Sequence, residues 1–84
     1  MYQSEMFAVI QKADKYKLKN IHTYNGYDGA DILKLSFLHQ NEMKAVKAFC
    51  KESGIPTDAK FDKPNKEYDL YAIFELADDI YSLL

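Results

Sequence analysis

The chain has 84 residues, 48% of them hydrophobic and 29% charged, a composition that is typical of a soluble globular domain and excludes a disordered chain. A second domain would be too short to bury its own core, so residues 1–84 are predicted to form a single domain. The formal net charge is −2 and all eleven basic residues are lysines. Without arginine and without a net positive charge, direct nucleic-acid binding is not favoured.

The longest unbroken apolar run covers only residues 6–10, which is too short for a signal-peptide core or a membrane span. We therefore expect a cytoplasmic protein with no membrane partner. Cys50 is the single cysteine, which excludes an intrachain disulfide and a cysteine-based zinc site. Its place on a predicted helix makes it a core residue.

The first predicted element is a helix over residues 4–16 with Ser4 as its N-cap; a short strand over residues 6–10 is the alternative. One side of this helix is apolar: Met6, Phe7, Val9, Ile10, Ala13 and Tyr16. Residues 18–24 and 32–38 are rich in strand-forming side chains, and Asn25-Gly26 and Asp28-Gly29 between them are strong turn signals. This pattern predicts an antiparallel hairpin.

Asn41 is predicted to cap a second helix that runs to about residue 53, where Gly54 ends it. A short third strand follows over residues 59–62. The last element is predicted as a long amphipathic helix over residues 68–84. Its apolar stripe is Leu70, Ile73, Phe74, Ala77, Ile80, Tyr81 and Leu84, and its polar face is Tyr68, Tyr71, Glu75, Asp78, Asp79 and Ser82.

The predicted fold class is therefore α+β: helix, β-hairpin, helix, short strand and long C-terminal helix, with the helices packed on one face of a small antiparallel sheet. Charge is segregated along this order. Residues 67–84 carry five acidic residues and no lysine, whereas all eleven lysines precede them. One end of the molecule should attract a basic partner.

The acidic, tyrosine-bearing helix face is the leading candidate for function. Tyrosine is enriched at interfaces, and carboxylates can imitate spaced phosphates. The predicted partner-binding residues are Tyr68, Tyr71, Glu75, Asp78 and Asp79 of the helix with Tyr24, Tyr27, Asp28 and Asp31 near the hairpin turn. We expect a small non-enzymatic protein-binding module, whose partner is another protein with a basic surface, for example a nucleic-acid-binding protein.

In general character only, such a domain resembles small phage or mobile-element proteins that inhibit host or defence machinery, including anti-CRISPR inhibitors. The resemblance implies steric occlusion of a surface on the target.

No enzyme, cofactor or metal site is expected. None of the serines lies in a nucleophile motif, and His22 and His39 are predicted as structural residues at strand positions. The Asp28 to Asp31 segment lacks the further oxygen ligands of a calcium loop.

Two alternatives remain open. One is a nucleic-acid-binding or transcription-regulating module that uses two lysine clusters, Lys12, Lys15, Lys17 and Lys19, and Lys44, Lys47 and Lys51. The other is an assembly subunit that homodimerises through Leu83 and Leu84. The chain is accordingly expected as a monomer or a homodimer.

Overall fold

A computed structural model describes residues 2–16, 18–25 and 30–75 of the chain. Within them, the elements in chain order are α1 (Tyr2–Asp14), β1 (Leu18–Asn25), β2 (Ala30–Phe37), α2 (Gln40–Glu52), β3 (Thr57–Asp62) and β4 (Glu67–Glu75). The strands form an antiparallel sheet in the order β1-β2-β4-β3. The two hairpins, β1-β2 and β3-β4, therefore meet through their later strands at the centre of the sheet.

The helix prediction for the start of the chain is confirmed, and the alternative strand over residues 6–10 is wrong. Val9 and Ala13 are fully buried, as the helical period predicts. Two details differ. The helix already includes Ser4, which is therefore not its N-cap, and Phe7 is 60% exposed although it was assigned to the apolar side.

The predicted hairpin is confirmed, with β1 and β2 paired antiparallel from Leu18↔Phe37 to Asn25↔Asp31. Alternate residues of β2, Leu33, Leu35 and Phe37, are completely buried against the helices. The predicted turn residues 26–29, including Tyr27 and Asp28, lie outside the described residues.

The second helix begins one residue earlier than its predicted cap. Its N-cap is His39, which makes no side-chain capping bond, so Asn41 lies within the helix and His39 does not occupy a strand. Gly54 ends the helix as predicted, with a positive φ of 73°. The Ile55 N–H donates to the Cys50 carbonyl at 2.8 Å and the Gly54 N–H to the Lys51 carbonyl at 3.1 Å, which is a Schellman motif.

The predicted C-terminal helix is wrong, because residues 67–75 form β4, which pairs with β2 on one side and β3 on the other. Leu70, Ala72 and Phe74 alternate into the core. Ile73, assigned with Phe74 to one helical stripe, lies on the opposite face of the strand. Residues 76–84, including Asp78 and Asp79, lie outside the described residues.

The sheet has one face covered by both helices. The core lies between the helices and this face of the sheet. The helices contribute Val9 and Ala13 of α1 and Met43, Val46 and Cys50 of α2, which pack with alternate residues of β2 and β4. The third strand begins at Thr57, two residues before its predicted start. A four-stranded sheet with helices on one side leaves its second face without a described layer above it.

Candidate protein interface

The open face of the sheet is defined here as the face opposite the two helices. Because side chains alternate along a strand, it carries the residues between the buried ones. In register across β1, β2, β4 and β3, its central rows are Asn20, Ser36, Asp69 and Lys60, then His22, Lys34, Tyr71 and Asp58, and finally Tyr24, Ile32 and Ile73.

A buried polar network lies at the centre of the open face. The Ser36 hydroxyl donates a 2.8 Å hydrogen bond to Asp69 Oδ1, and both residues are nearly inaccessible, at 2% and 3% exposure. The Lys34 ammonium lies 3.7 Å from Asp69 Oδ2. The proximity of Asp69 raises the pKa of Lys34 above its ordinary value. One oxygen of the buried Asp69 carboxylate therefore accepts a hydroxyl proton and the other faces a cation.

The same lysine also contacts the aromatic side chain opposite it. Lys34 Nζ lies 5.9 Å from the centroid of the Tyr71 ring, within the range of a cation–π interaction. Lys34 therefore bridges the buried Asp69 carboxylate and a tyrosine on the surface. The network holds the position of Tyr71, which lowers the entropy that this side chain would lose on binding.

One end of the open face is charged. Lys19 Nζ and Glu67 Oε1 form a 2.7 Å ion pair. At the neighbouring corner, Asn65 donates to Asp62 through its side-chain Nδ2 at 2.9 Å and through its backbone N–H at 3.4 Å. The side-chain bond from Asn65 is the main cause of the lowered pKa of Asp62.

The other end of the open face is apolar and aromatic. Tyr24, Ile32 and Ile73 lie side by side across three strands, directly opposite one another in register. Tyr24 is 45% exposed, and its ring centroid lies 6.2 Å from that of His22. Neither described helix packs on this row. The open face therefore combines an apolar row, in which Tyr24 is exposed and Ile32 and Ile73 are half-buried, with charged pairs beside it, a pattern found in protein interfaces.

The structure separates the residues that the sequence grouped as a partner-binding site. Tyr24 and Tyr71 share the open face. Tyr68 lies on the helix-facing side of β4, where its ring packs against Phe61 at a centroid distance of 4.9 Å. Asp31 is half-buried and lies on the same side of β2 as the buried Leu33.

The remaining predicted residues cannot be placed in this site. Glu75 is the last residue of β4. Tyr27, Asp28, Asp78 and Asp79 lie outside the described residues.

Sequence reasoning missed Ser36, Lys34 and Asp69. A signal was present, because Asp69, Tyr71 and Ile73 alternate with Leu70, Ala72 and Phe74 in the period of a half-buried strand. The first lysine cluster is also divided, since Lys19 is paired with Glu67 on the open face.

Other chemistry has little support in the part of the chain that the structure describes. It contains no group of three or more His, Cys, Asp or Glu residues arranged to hold a metal ion. Cys50 is buried, as predicted, and burial raises the pKa of its thiol to about 11. None of the described helices has the length and apolar character needed to cross a membrane.

Comparisons of the chain with protein-family models, curated proteins and solved structures found no match. Any functional conclusion therefore depends on the geometry of the chain itself.

Proposed function

We propose that the protein is a non-enzymatic protein-binding domain whose partner docks on the open face of the sheet. The observation that carries this proposal is the row formed by Tyr24, Ile32 and Ile73, with Tyr71 beside it, on a face that no described helix covers. Large aromatic and branched side chains on a sheet supply apolar contact area at low entropic cost.

The size of the face limits how binding can work. Four strands at about 4.8 Å spacing and about six residues of 3.4 Å each give a face of roughly 20 by 20 Å. This is at the small end for a specific interface. Affinity would therefore depend on a few anchors rather than on total area, and Tyr24 and Tyr71 are the anchors that we propose.

The charges of the open face favour a partner with lysine or arginine side chains around an apolar centre. Two of the carboxylates are already paired, Asp69 with Lys34 and Glu67 with Lys19. On β3, Asp58 and Asp62 remain against the single cation Lys60. Because both paired lysines are engaged by carboxylates, the same face is poorly suited to phosphate groups.

Occlusion is the mode of action that we propose for this surface. When the domain occupies the basic surface of its partner, the partner can no longer bind its own anionic ligand there. The domain would then act as an inhibitor or modulator. This proposal keeps the anti-CRISPR-like mechanism inferred from sequence but moves it from a helix to the sheet. No catalytic step is involved.

The test is site-specific photo-crosslinking in lysate of the source cells. A photoreactive phenylalanine analogue replaces Tyr24 in one protein and Phe7 in a control, because Phe7 is an aromatic residue on α1 that is at least as exposed, at 60% against 45% for Tyr24. We expect one protein to crosslink at position 24 and not at position 7, and Tyr71→Ser to abolish its capture. Equal crosslinking at both positions, or crosslinking only to a second copy of the chain, would contradict the proposal.

A further inference from the structure

We propose that the groove between α2 and the free edge of β3 binds an extended acidic segment of another protein by strand addition. This site is separate from the open face. Its first component is the edge strand. All six residues of β3 pair with β4 without a register shift, and β3 is an edge strand of the sheet that the described residues form.

The hydrogen bonds show which backbone groups of β3 are available. The Ile73 N–H donates to the Pro56 carbonyl at 2.9 Å, so the carbonyl of residue 56 points toward β4. In an antiparallel ladder this direction alternates with each residue. The N–H and C=O groups of Thr57, Ala59 and Phe61 therefore point toward the free edge, where a further strand would find them.

The opposite edge of the sheet lacks this regularity. The pairing of β1 shifts between Leu18 and Asn20, which marks a bulge, and the Asn20 side chain accepts the N–H of Ile21 at 2.9 Å. Bulges and self-satisfied backbone groups are devices that protect an edge strand from pairing with another chain. The edge of β3 is thus the better template for strand addition.

The second component is a groove of about 480 Å³ beside the start of β3, lined by Lys44, Lys47, Lys51, Ile55, Pro56 and Thr57. None of these lysines forms an ion pair within the described ranges, where the ammonium groups of Lys19 and Lys34 are the ones that do. Lysines around an apolar floor are complementary to a ligand with carboxylates and an apolar side chain.

The spacing of the lysines along α2 matches the length of a short strand added to β3. Lys44 and Lys51 are separated by about 10 Å along the helix, which is the length of about three residues of an extended chain. In an added strand, alternate side chains would point toward α2. Acidic residues at alternate positions would therefore reach the lysines while the backbone of the added strand pairs with Ala59. This combination of edge pairing and side-chain selection is a known mode of peptide recognition.

The probe is a fluorescein-labelled peptide of about eight residues in which Glu and Val alternate. We expect saturable binding by fluorescence anisotropy below about 1 mM, weakened about tenfold by Lys47→Glu. Lys63→Glu, which makes the same charge change in the turn after β3, is the matched control and should bind like the parent. No saturable binding by about 1 mM would overturn the proposal.

Backbone methylation separates strand addition from simple charge attraction. Two further peptides are N-methylated at every second residue. The first is methylated at the odd-numbered positions and the second at the even-numbered positions. Strand addition requires that one of them loses binding and the other keeps it, because only one set of N–H groups faces β3.

Ala59→Pro provides the matching change in the protein. It removes an N–H that faces the free edge without removing one that bonds β4, so it should weaken peptide binding and preserve the fold. Equal binding by both methylated peptides would overturn the proposal. So would tight binding of a single-stranded oligonucleotide of about twelve nucleotides that excludes the peptide, because the lysines would then be a phosphate-binding surface.

Discussion

Ser36 and Asp69 lie directly opposite each other on β2 and β4, and a 2.8 Å hydrogen bond joins their side chains on the open face of the sheet. Both are almost completely buried even though neither described helix lies above them. Lys34 lies on the same face, and its ammonium also faces Asp69. Ser36, Asp69 and Lys34 therefore form an ordered polar centre of the open face, and Lys34 joins it to the ring of Tyr71.

This network should contribute measurably to stability. Ser36→Ala leaves the buried Asp69 carboxylate with Lys34 alone and should cost about 1–3 kcal/mol. Asp69→Ala should cost at least as much, because the Ser36 hydroxyl and the Lys34 ammonium both lose their acceptor. The double variant should be little worse than Asp69→Ala, since the two residues act through one bond. Urea denaturation of the three variants measures this, and additive losses would show that the residues act independently.

The lowered pKa of Asp62 predicts a dependence of stability on acid pH. A carboxylate with a pKa below its unfolded value of 3.8 stabilises the fold above that pH, and the contribution is lost as the pH falls through the lower, folded-state pKa. Asp62→Asn should therefore flatten the fall in melting temperature below pH 4. Asp58→Asn is the control, and an identical effect of both substitutions would refute the role of the Asn65 bonds.

The Cys50 thiol should be unreactive in the folded protein. With a pKa of about 11 and no exposure, only about one thiol in a thousand is ionised at pH 8. We expect iodoacetamide to modify the native protein far more slowly than the protein in urea, as followed by mass spectrometry. Equal rates would mean that Cys50 is not buried on the inner side of α2.

The sequence predicted the helices and the first hairpin because each follows a single clear period. The helical spacing of Val9 and Ala13 and the alternation of Leu33, Leu35 and Phe37 each agree with one structure only. Local end signals were weaker, so Gly54 was correctly assigned while Asn41 was mistaken for the N-cap.

The last segment failed because its pattern is compatible with two periods. Leu70, Ile73 and Phe74 fit one side of a helix, and Leu70, Ala72 and Phe74 fit one side of a strand. The choice is made by long-range pairing with β2 and β3, which local periodicity does not contain. The candidate site moved to the sheet for the same reason. Asp69 lies opposite Ser36 because of the register between β4 and β2, which local periodicity does not reveal.

One face of β4 lies in the core and the other carries part of the proposed interface, and a pair of neighbouring substitutions tests this assignment. Ala72 is fully buried opposite Leu33, whereas Ile73 lies on the open face beside Ile32. Ala72→Lys places an unpaired charge in the core, at a cost of several kcal/mol, which is comparable with the roughly 4–12 kcal/mol of stability expected for a domain of this size. Ile73→Lys extends its ammonium into solvent and should cost far less.

The measurement is the thermal melt of the two variants and the parent, followed by circular dichroism. We predict that Ala72→Lys loses its cooperative transition and that Ile73→Lys melts cooperatively near the parent temperature. A helix over the same residues would place Ile73 inside and Ala72 outside. A stable Ala72→Lys with an unfolded Ile73→Lys would therefore contradict both the strand and the interface proposed on it.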